Sequence, residues 1–123
     1  CASGIRSIAV AEMLIDLGYK EVVLTGIHIG SYGKDLDNGT KLIDVIEAVC
    51  SVEGIARVRL GSIEPVIITE EFVARAKKLK NLCPQFHLAL QSGCDETLKR
   101  MNRHYDSDEY YSLCKNPITH YQI

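Results

Sequence analysis

Three short polar segments hold the residue types best suited to chemistry. TGIHIGSYG (25–33) has glycines at 26, 30 and 33, which let backbone N–H groups come close to an amino-acid or phosphate group. GSIEP (61–65) offers Ser62 and Glu64. The residue before Pro65 is biased towards extended backbone, and its carboxylate there can accept from ribose hydroxyls or an ammonium group. QSGCD (91–95) brings Gln91, which both donates and accepts, and the Ser92 hydroxyl; Lys99, Arg100 and Arg103 follow on helical spacing. Each segment also has a plainer reading. The first is an ordinary turn, the second an ion pair of Glu64 with Arg57 or Arg59, the third a solvated basic helix end favoured by the dipole. His28, His87 and His104 lack metal-ligand spacing, and neither GxSxG nor a P-loop is present. Spacing alone therefore yields a small-molecule site of unspecified chemistry.

The elements around these segments give them a common position. Val10, Met13, Leu14 and Leu17 recur at helical spacing, and Gly18 is a stop. EVVLT (21–25) is a continuous β-branched run, as in a strand buried on both faces. Thr40 opens a second helix, with Leu42, Ile43, Ile46, Val49 and Cys50 on one side and Gly54 closing it. ARVRLGS (56–62) reads as the second strand, and Thr69 caps a helix whose stripe is Phe72, Val73, Ala76 and Leu79. FHLAL (86–90) reads as the third strand. Asp95 is expected to cap the next helix, and Ser107 another that contains Tyr110, Tyr111 and Leu113.

Helices alternate with strands and no hairpin signal intervenes. That order predicts an α/β chain with parallel strands, right-handed crossovers and helices on one side. Three strands close no barrel and leave unpaired outer edges, so the chain is expected to be part of a larger α/β sheet or barrel. In such sheets ligands lie beyond the carboxyl ends of the strands, which is where all three polar segments fall.

Composition narrows the class. With 123 residues, 46% hydrophobic and 24% charged, the chain is one globular domain or a piece of one. A net charge of −2 gives no bulk footprint for nucleic acid, so any such contact needs a local patch or another region. Five cysteines at 1, 50, 83, 94 and 114 form no CxxC pair and are odd in number. They predict free thiols in a reducing, cytoplasmic setting. No signal-peptide pattern opens the chain, and no apolar run approaches the roughly 20 residues of a spanning helix, so no membrane association is expected.

Taken together, GYKEVVLTGIHIGSYGKDL, RVRLGSIEP and FHLALQSGCDETLKRMNRHY resemble consecutive segments of the radical S-adenosylmethionine tRNA methylthiotransferases, in family order, over residues 5–114. The TGIHIGSYG wording resembles the threonylcarbamoyladenosine branch more than the isopentenyladenosine or ribosomal-protein branches. The resemblance implies part of a (β/α)6 radical S-adenosylmethionine partial barrel, whose mouth holds a [4Fe-4S] cluster and S-adenosylmethionine. In that family a CxxxCxxC loop ligates the cluster. An electron donor drives cofactor cleavage to a 5′-deoxyadenosyl radical, which abstracts hydrogen from adenine C2 beside the tRNA anticodon. A second cluster on an N-terminal domain supplies sulfur, and a C-terminal domain grips the tRNA.

Carried onto this chain, Thr25 and Gly26 end a barrel strand where family members hold the cofactor amino group. Ser62 and Glu64 face the same mouth, and Gln91 and Ser92 stand where such enzymes contact the ribose or methionine part. Arg103 matches the MNRxY ending and is expected to meet the cofactor carboxylate or a substrate phosphate. CxxxCxxC is absent, so no cluster is expected on this chain, and Cys1 resembles a remnant of the cluster loop. Residues 1–123 thus read as a single incomplete core domain without the second-cluster and RNA-binding domains. The implied function is a fragment of an enzyme that adds a methylthio group to C2 of a modified adenosine, inactive as an isolated chain. The alternative is a non-catalytic α/β binding or assembly module. A (β/α)8 phosphate-site enzyme is disfavoured, because it lacks an acid/base constellation.

Overall fold

A computed structural model describes residues 5–26, 29–33 and 39–115. Apolar periodicity opens the chain with helix α1 (Ile5–Asp16). It ends in a Schellman turn: Gly18 at φ +91° donates to the Ile15 carbonyl at 2.9 Å, and Tyr19 to Leu14 at 3.0 Å. The packed face differs from the expected stripe. Ala11 is buried, and Ile8, Leu14 and Ile15 pack on the core. Val10, Met13 and Leu17 are about half exposed or more (48%, 54% and 68%). The helix meets its neighbours along one flank, so its second apolar ridge has nothing to cover it among the described residues.

The first two expected strand segments form β1 (Glu21–Leu24) and β2 (Arg57–Leu60), shorter than the expected 21–25 and 56–62. They pair in parallel from Glu21↔Arg57 to Leu24↔Leu60, joined through α2 (Leu42–Cys50). One further bond, Gly61 N–H to the Leu24 carbonyl at 2.8 Å, extends the pairing to the strand ends.

The expected third strand at 86–90 is not continuous. It touches the sheet only at the isolated parallel bridges Val58↔Leu82 and Ile63↔Leu88. The offset changes between them, 82 − 58 = 24 against 88 − 63 = 25, so one extra residue bulges the outer segment. Pro84 lies in that stretch and has no N–H to donate. The fold is α/β with a two-stranded parallel sheet among the described residues.

Helices α2 and α3 (Glu70–Ala76) bring their apolar faces together with the buried residues of β2. Ile46, Val49, Val58 and Phe86 are fully buried, and the Phe72 and Phe86 rings meet edge-on at 5.9 Å. Thr69 caps α3 as expected, its hydroxyl accepting from the Phe72 N–H at 3.1 Å. At α2 the Asp44 carboxylate accepts from the Lys41 N–H at 2.6 Å, so the helix starts one residue beyond the expected Thr40 cap. Gly54 lies past the Ser51 C-cap rather than closing the helix directly.

Asp95 opens α4 (Asp95–Arg100) without capping it, and accepts instead from the Ser107 N–H at 2.9 Å. Ser107 is likewise the first residue of α5 (Ser107–Lys115). The cap there is Asp106, in a reciprocal box: Glu109 N–H to Asp106 at 2.8 Å and Asp106 N–H to Glu109 at 3.0 Å. No described helix is long and apolar enough to cross a membrane. Cys1, His28 and the 116–123 tail lie outside the described residues.

Candidate functional site

The candidate site is built from the carboxyl ends of the parallel segments. After β2, Ile63 is buried while Ser62 and Glu64 alternate to the other side. Ser62 Oγ lies 3.0 Å from His87 Nδ1, so the second and third segment ends are joined by a polar contact. Glu64 meets Arg103 Nη1 at 3.1 Å. Glu64 therefore does not take Arg57 or Arg59 as its partner. Both of those arginines converge on Glu21, at 2.5 and 2.7 Å, and hold its carboxyl below the ordinary range.

Local sequence explains how Arg103 reaches Glu64. Helix α4 closes on a Schellman turn in which Asn102, at φ +55°, donates to Lys99 at 3.0 Å, and Arg103 N–H donates to Leu98 at 2.9 Å. Asparagine tolerates this left-handed position, and the motif sets the next residue off the helix axis. The Arg103 side chain is largely buried, and its Nε has no hydrogen-bond partner among the described residues. Such a guanidinium proton lacks an acceptor among the described residues.

Gln91 and Ser92 stand at the end of the third segment. Gln91 has φ +68°, and the Ser92 N–H donates back to the Leu90 carbonyl at 2.8 Å. The result is a γ-turn of the positive-φ form, which is rare and strained. The Ser92 hydroxyl accepts from the Cys94 N–H at 3.1 Å. Cys94, at the N-cap of α4, has its thiol held below the ordinary range by the Thr97 N–H and hydroxyl and the Glu96 N–H.

Thr25 abuts Gly61, where a Cβ would lie 2.8 Å from the Thr25 hydroxyl. Thr25 also sits at one end of a cleft of about 730 Å³ between α1 and β1. Gly26 is exposed, with nothing within 4 Å of a Cβ placed on it. Gly33 answers an internal need rather than a ligand's: at φ +82°, its Cβ would fall 1.8 Å from the Thr40 carbonyl.

Two pairs are thus brought together, Ser62 with His87 and Glu64 with Arg103. No contact among the described residues joins Gly26 or the Gln91 side chain to them. Sequence reasoning weighed His87 only as a metal ligand. Its alternation with buried Phe86 and Leu88 was the signal that it faces Ser62.

No protein-family model matches the chain. It is 43% identical over 102 residues to a tRNA-2-methylthio-N(6)-dimethylallyladenosine synthase of Clostridium botulinum (strain Loch Maree / Type A3), covering 83% of this chain and 23% of that protein. It is 42% identical over 100 residues to the threonylcarbamoyladenosine tRNA methylthiotransferase MtaB of Thermotoga maritima, covering 81% of this chain and 22% of the relative. The tRNA-2-methylthio-N(6)-dimethylallyladenosine synthase of Clostridium tetani aligns at 39% identity over 100 residues, covering 81% of this chain and 22% of that protein. The chain spans about a quarter of the length of these curated relatives. Both branches align at near-equal identity and over the same share, so what is common to them is the family, and the chain belongs to the tRNA methylthiotransferases.

Proposed function

We propose that this chain supplies S-adenosylmethionine-binding strand ends to a radical tRNA methylthiotransferase, as part of a (β/α)6 partial barrel. The Glu64–Arg103 pair carries the reading. A carboxylate and a largely buried guanidinium, whose Nε has no partner among the described residues, stand side by side beyond the parallel strands. Together they suit the ammonium and carboxylate of one amino-acid moiety. Arg103 would hold the cofactor carboxylate. Glu64 and Ser62, with Thr25 and Gly26, would line the side of its amino group, and Gln91 and Ser92 would reach the ribose or methionine part.

When bound, and given one electron from a donor outside this chain, S-adenosylmethionine would supply the radical chemistry that activates adenine C2. The residues present do not fit the [4Fe-4S] cluster. CxxxCxxC is absent, and no three His, Cys, Asp or Glu side chains gather as a metal-binding group among the described residues. No step is therefore assigned to a cluster on this chain.

In the longer enzyme the product is a methylthio group on C2 of a modified adenosine beside the tRNA anticodon. That enzyme uses an electron donor and works in the cytoplasm. The TGIHIGSYG wording favours threonylcarbamoyladenosine as the target base, whereas overall identity favours neither branch.

Calorimetric titration of the purified chain with S-adenosylmethionine tests the pocket. Saturable binding is expected, weakened about tenfold or more by Arg103→Met or Glu64→Gln, since each removes a charge-assisted contact. A wild-type chain that takes up no cofactor would favour the non-catalytic module instead.

A further inference from the structure

The proposed pocket needs Gln91 and Ser92 to be held in a strained turn, and the chain has a device placed to hold it. In the third segment, Ile63 N–H donates to His87 and Ala89 N–H donates to Ile63, both at 3.0 Å, so the Leu88 peptide faces away from the sheet. Its carbonyl accepts from the Tyr110 hydroxyl at 3.1 Å. The Tyr105 hydroxyl shares its proton between the next two carbonyls, Ala89 at 2.8 Å and Leu90 at 3.0 Å. Leu90 is also the carbonyl that closes the γ-turn with the Ser92 N–H. Tyr105 is buried, so this bond is shielded from water. It also lies two residues past Arg103, which ties the Arg103 loop to the Gln91 turn.

We propose that Tyr105 is a positioning residue, whose hydroxyl fixes the Leu90 carbonyl and thereby holds Gln91 at positive φ, presenting Gln91 and Ser92 to the cofactor. The inference rests on the cofactor-site reading above and gives it a second support outside the contacting residues. Burial raises the Tyr105 hydroxyl above its ordinary range, which keeps it a donor throughout neutral pH. Tyr110 makes the matching bond at Leu88, away from the turn, and serves as an internal control.

Amide hydrogen exchange by NMR reads the turn itself, without any ligand. Tyr105→Phe is expected to speed exchange of the Ser92 N–H about fivefold or more, the loss expected for one buried hydrogen bond, while Tyr110→Phe leaves Ser92 unchanged. With Gln91→Gly added, the Tyr105→Phe effect should shrink, because glycine takes positive φ without help. Unchanged Ser92 exchange in Tyr105→Phe, or equal effects of the two tyrosine variants, overturns the proposal. If Tyr105→Phe fails to fold, the Gln91→Gly/Tyr105→Phe double variant is expected to fold; its failure also overturns it.

The second arm titrates the chain with S-adenosylhomocysteine. Tyr105→Phe should weaken binding and Tyr110→Phe should not. Equal affinity of wild type and Tyr105→Phe defeats the positioning role. Absence of binding in wild type defeats the cofactor reading, and Ser92 exchange then decides the turn alone.

Discussion

Cys94, Cys50 and Cys83 take their reactivity from their places in the fold. Cys94 is exposed at the start of α4, where Thr97 and Glu96 N–H groups stabilise its thiolate. Cys50 is half-buried at the end of α2, and desolvation, reinforced by nearby Cys83 and Glu47, pushes its thiol up to about 11. Cys83 is buried. Because the thiolate is the nucleophile, alkylation rates should follow these environments. Timed iodoacetamide labelling of the folded chain at mildly alkaline pH, read by peptide mass spectrometry, is expected to modify Cys94 well ahead of Cys50 and Cys83. Labelling of Cys50 ahead of Cys94 would contradict the assigned electrostatics. At the same scale, the polar loops made legible which residue types stand at the segment ends, as with Ser62 and Glu64. The Glu64–Arg103 bond and the Tyr105 bond to Leu90 were not legible, because each arises where separate segment ends become neighbours.

Between elements, the α2–α3 contact is locked by charge as well as by apolar packing. Arg75 donates to Asp44 at 2.5 Å and to Glu47 at 2.9 and 2.5 Å, while Lys41 reaches Glu71 at 2.7 Å. Asp44 is held below its ordinary 3.8, mostly by the Lys41 N–H and then by Arg75. Glu47 is held below 4.5 chiefly by Arg75, and Glu71 chiefly by Lys41. A lowered folded-state pKa gives stability that is complete above the unfolded value and lost as pH falls through the folded one. Thermal midpoints measured from pH 7 downwards should therefore hold until about 4.5 and then decline. Arg75→Met should lower the neutral midpoint and flatten that acid decline, since Glu47 loses its main stabiliser. An unchanged acid slope would show that other carboxylates set it.

Element boundaries were legible where one residue alone had the right chemistry, as with Thr69 and Gly18. They slipped where neighbours compete, as with Asp106 beside Ser107 and Lys41 beside Thr40. Of the stripe expected on α1, Leu14 packs on the core while Val10, Met13 and Leu17 are exposed, because that helix carries two apolar ridges and only packing selects between them.

At the scale of the whole molecule, the third segment joins the sheet through two isolated bridges rather than a ladder, so its attachment depends on side-chain burial. Tyrosine hydroxyls occupy its outer carbonyls at Leu88 and Leu90, so this edge is partly covered rather than open as expected. On the opposite flank, β1 pairs only with β2 among the described residues, and Val23 is 55% exposed. The bulge around Pro84 could not be read from FHLAL, because a strand pattern records which faces are buried and not whether the register is continuous.

Phe86 is the anchor this arrangement requires. It is fully buried, edge-on to Phe72 of α3, and opens the stretch that carries Gln91 to the strand ends. Truncating such a ring typically costs about 3–5 kcal/mol, against a total of about 5–15 kcal/mol for a domain. Urea unfolding of Phe86→Ala should therefore show a large drop in midpoint, or no folded baseline at all. In a variant that remains folded, Ser92 amide protection should fall along with it, since the turn hangs on the segment that Phe86 pins. A loss of only about 1 kcal/mol, within the spread of ordinary substitutions, would mean that the tyrosine hydroxyls and the two bridges hold the third segment without the core.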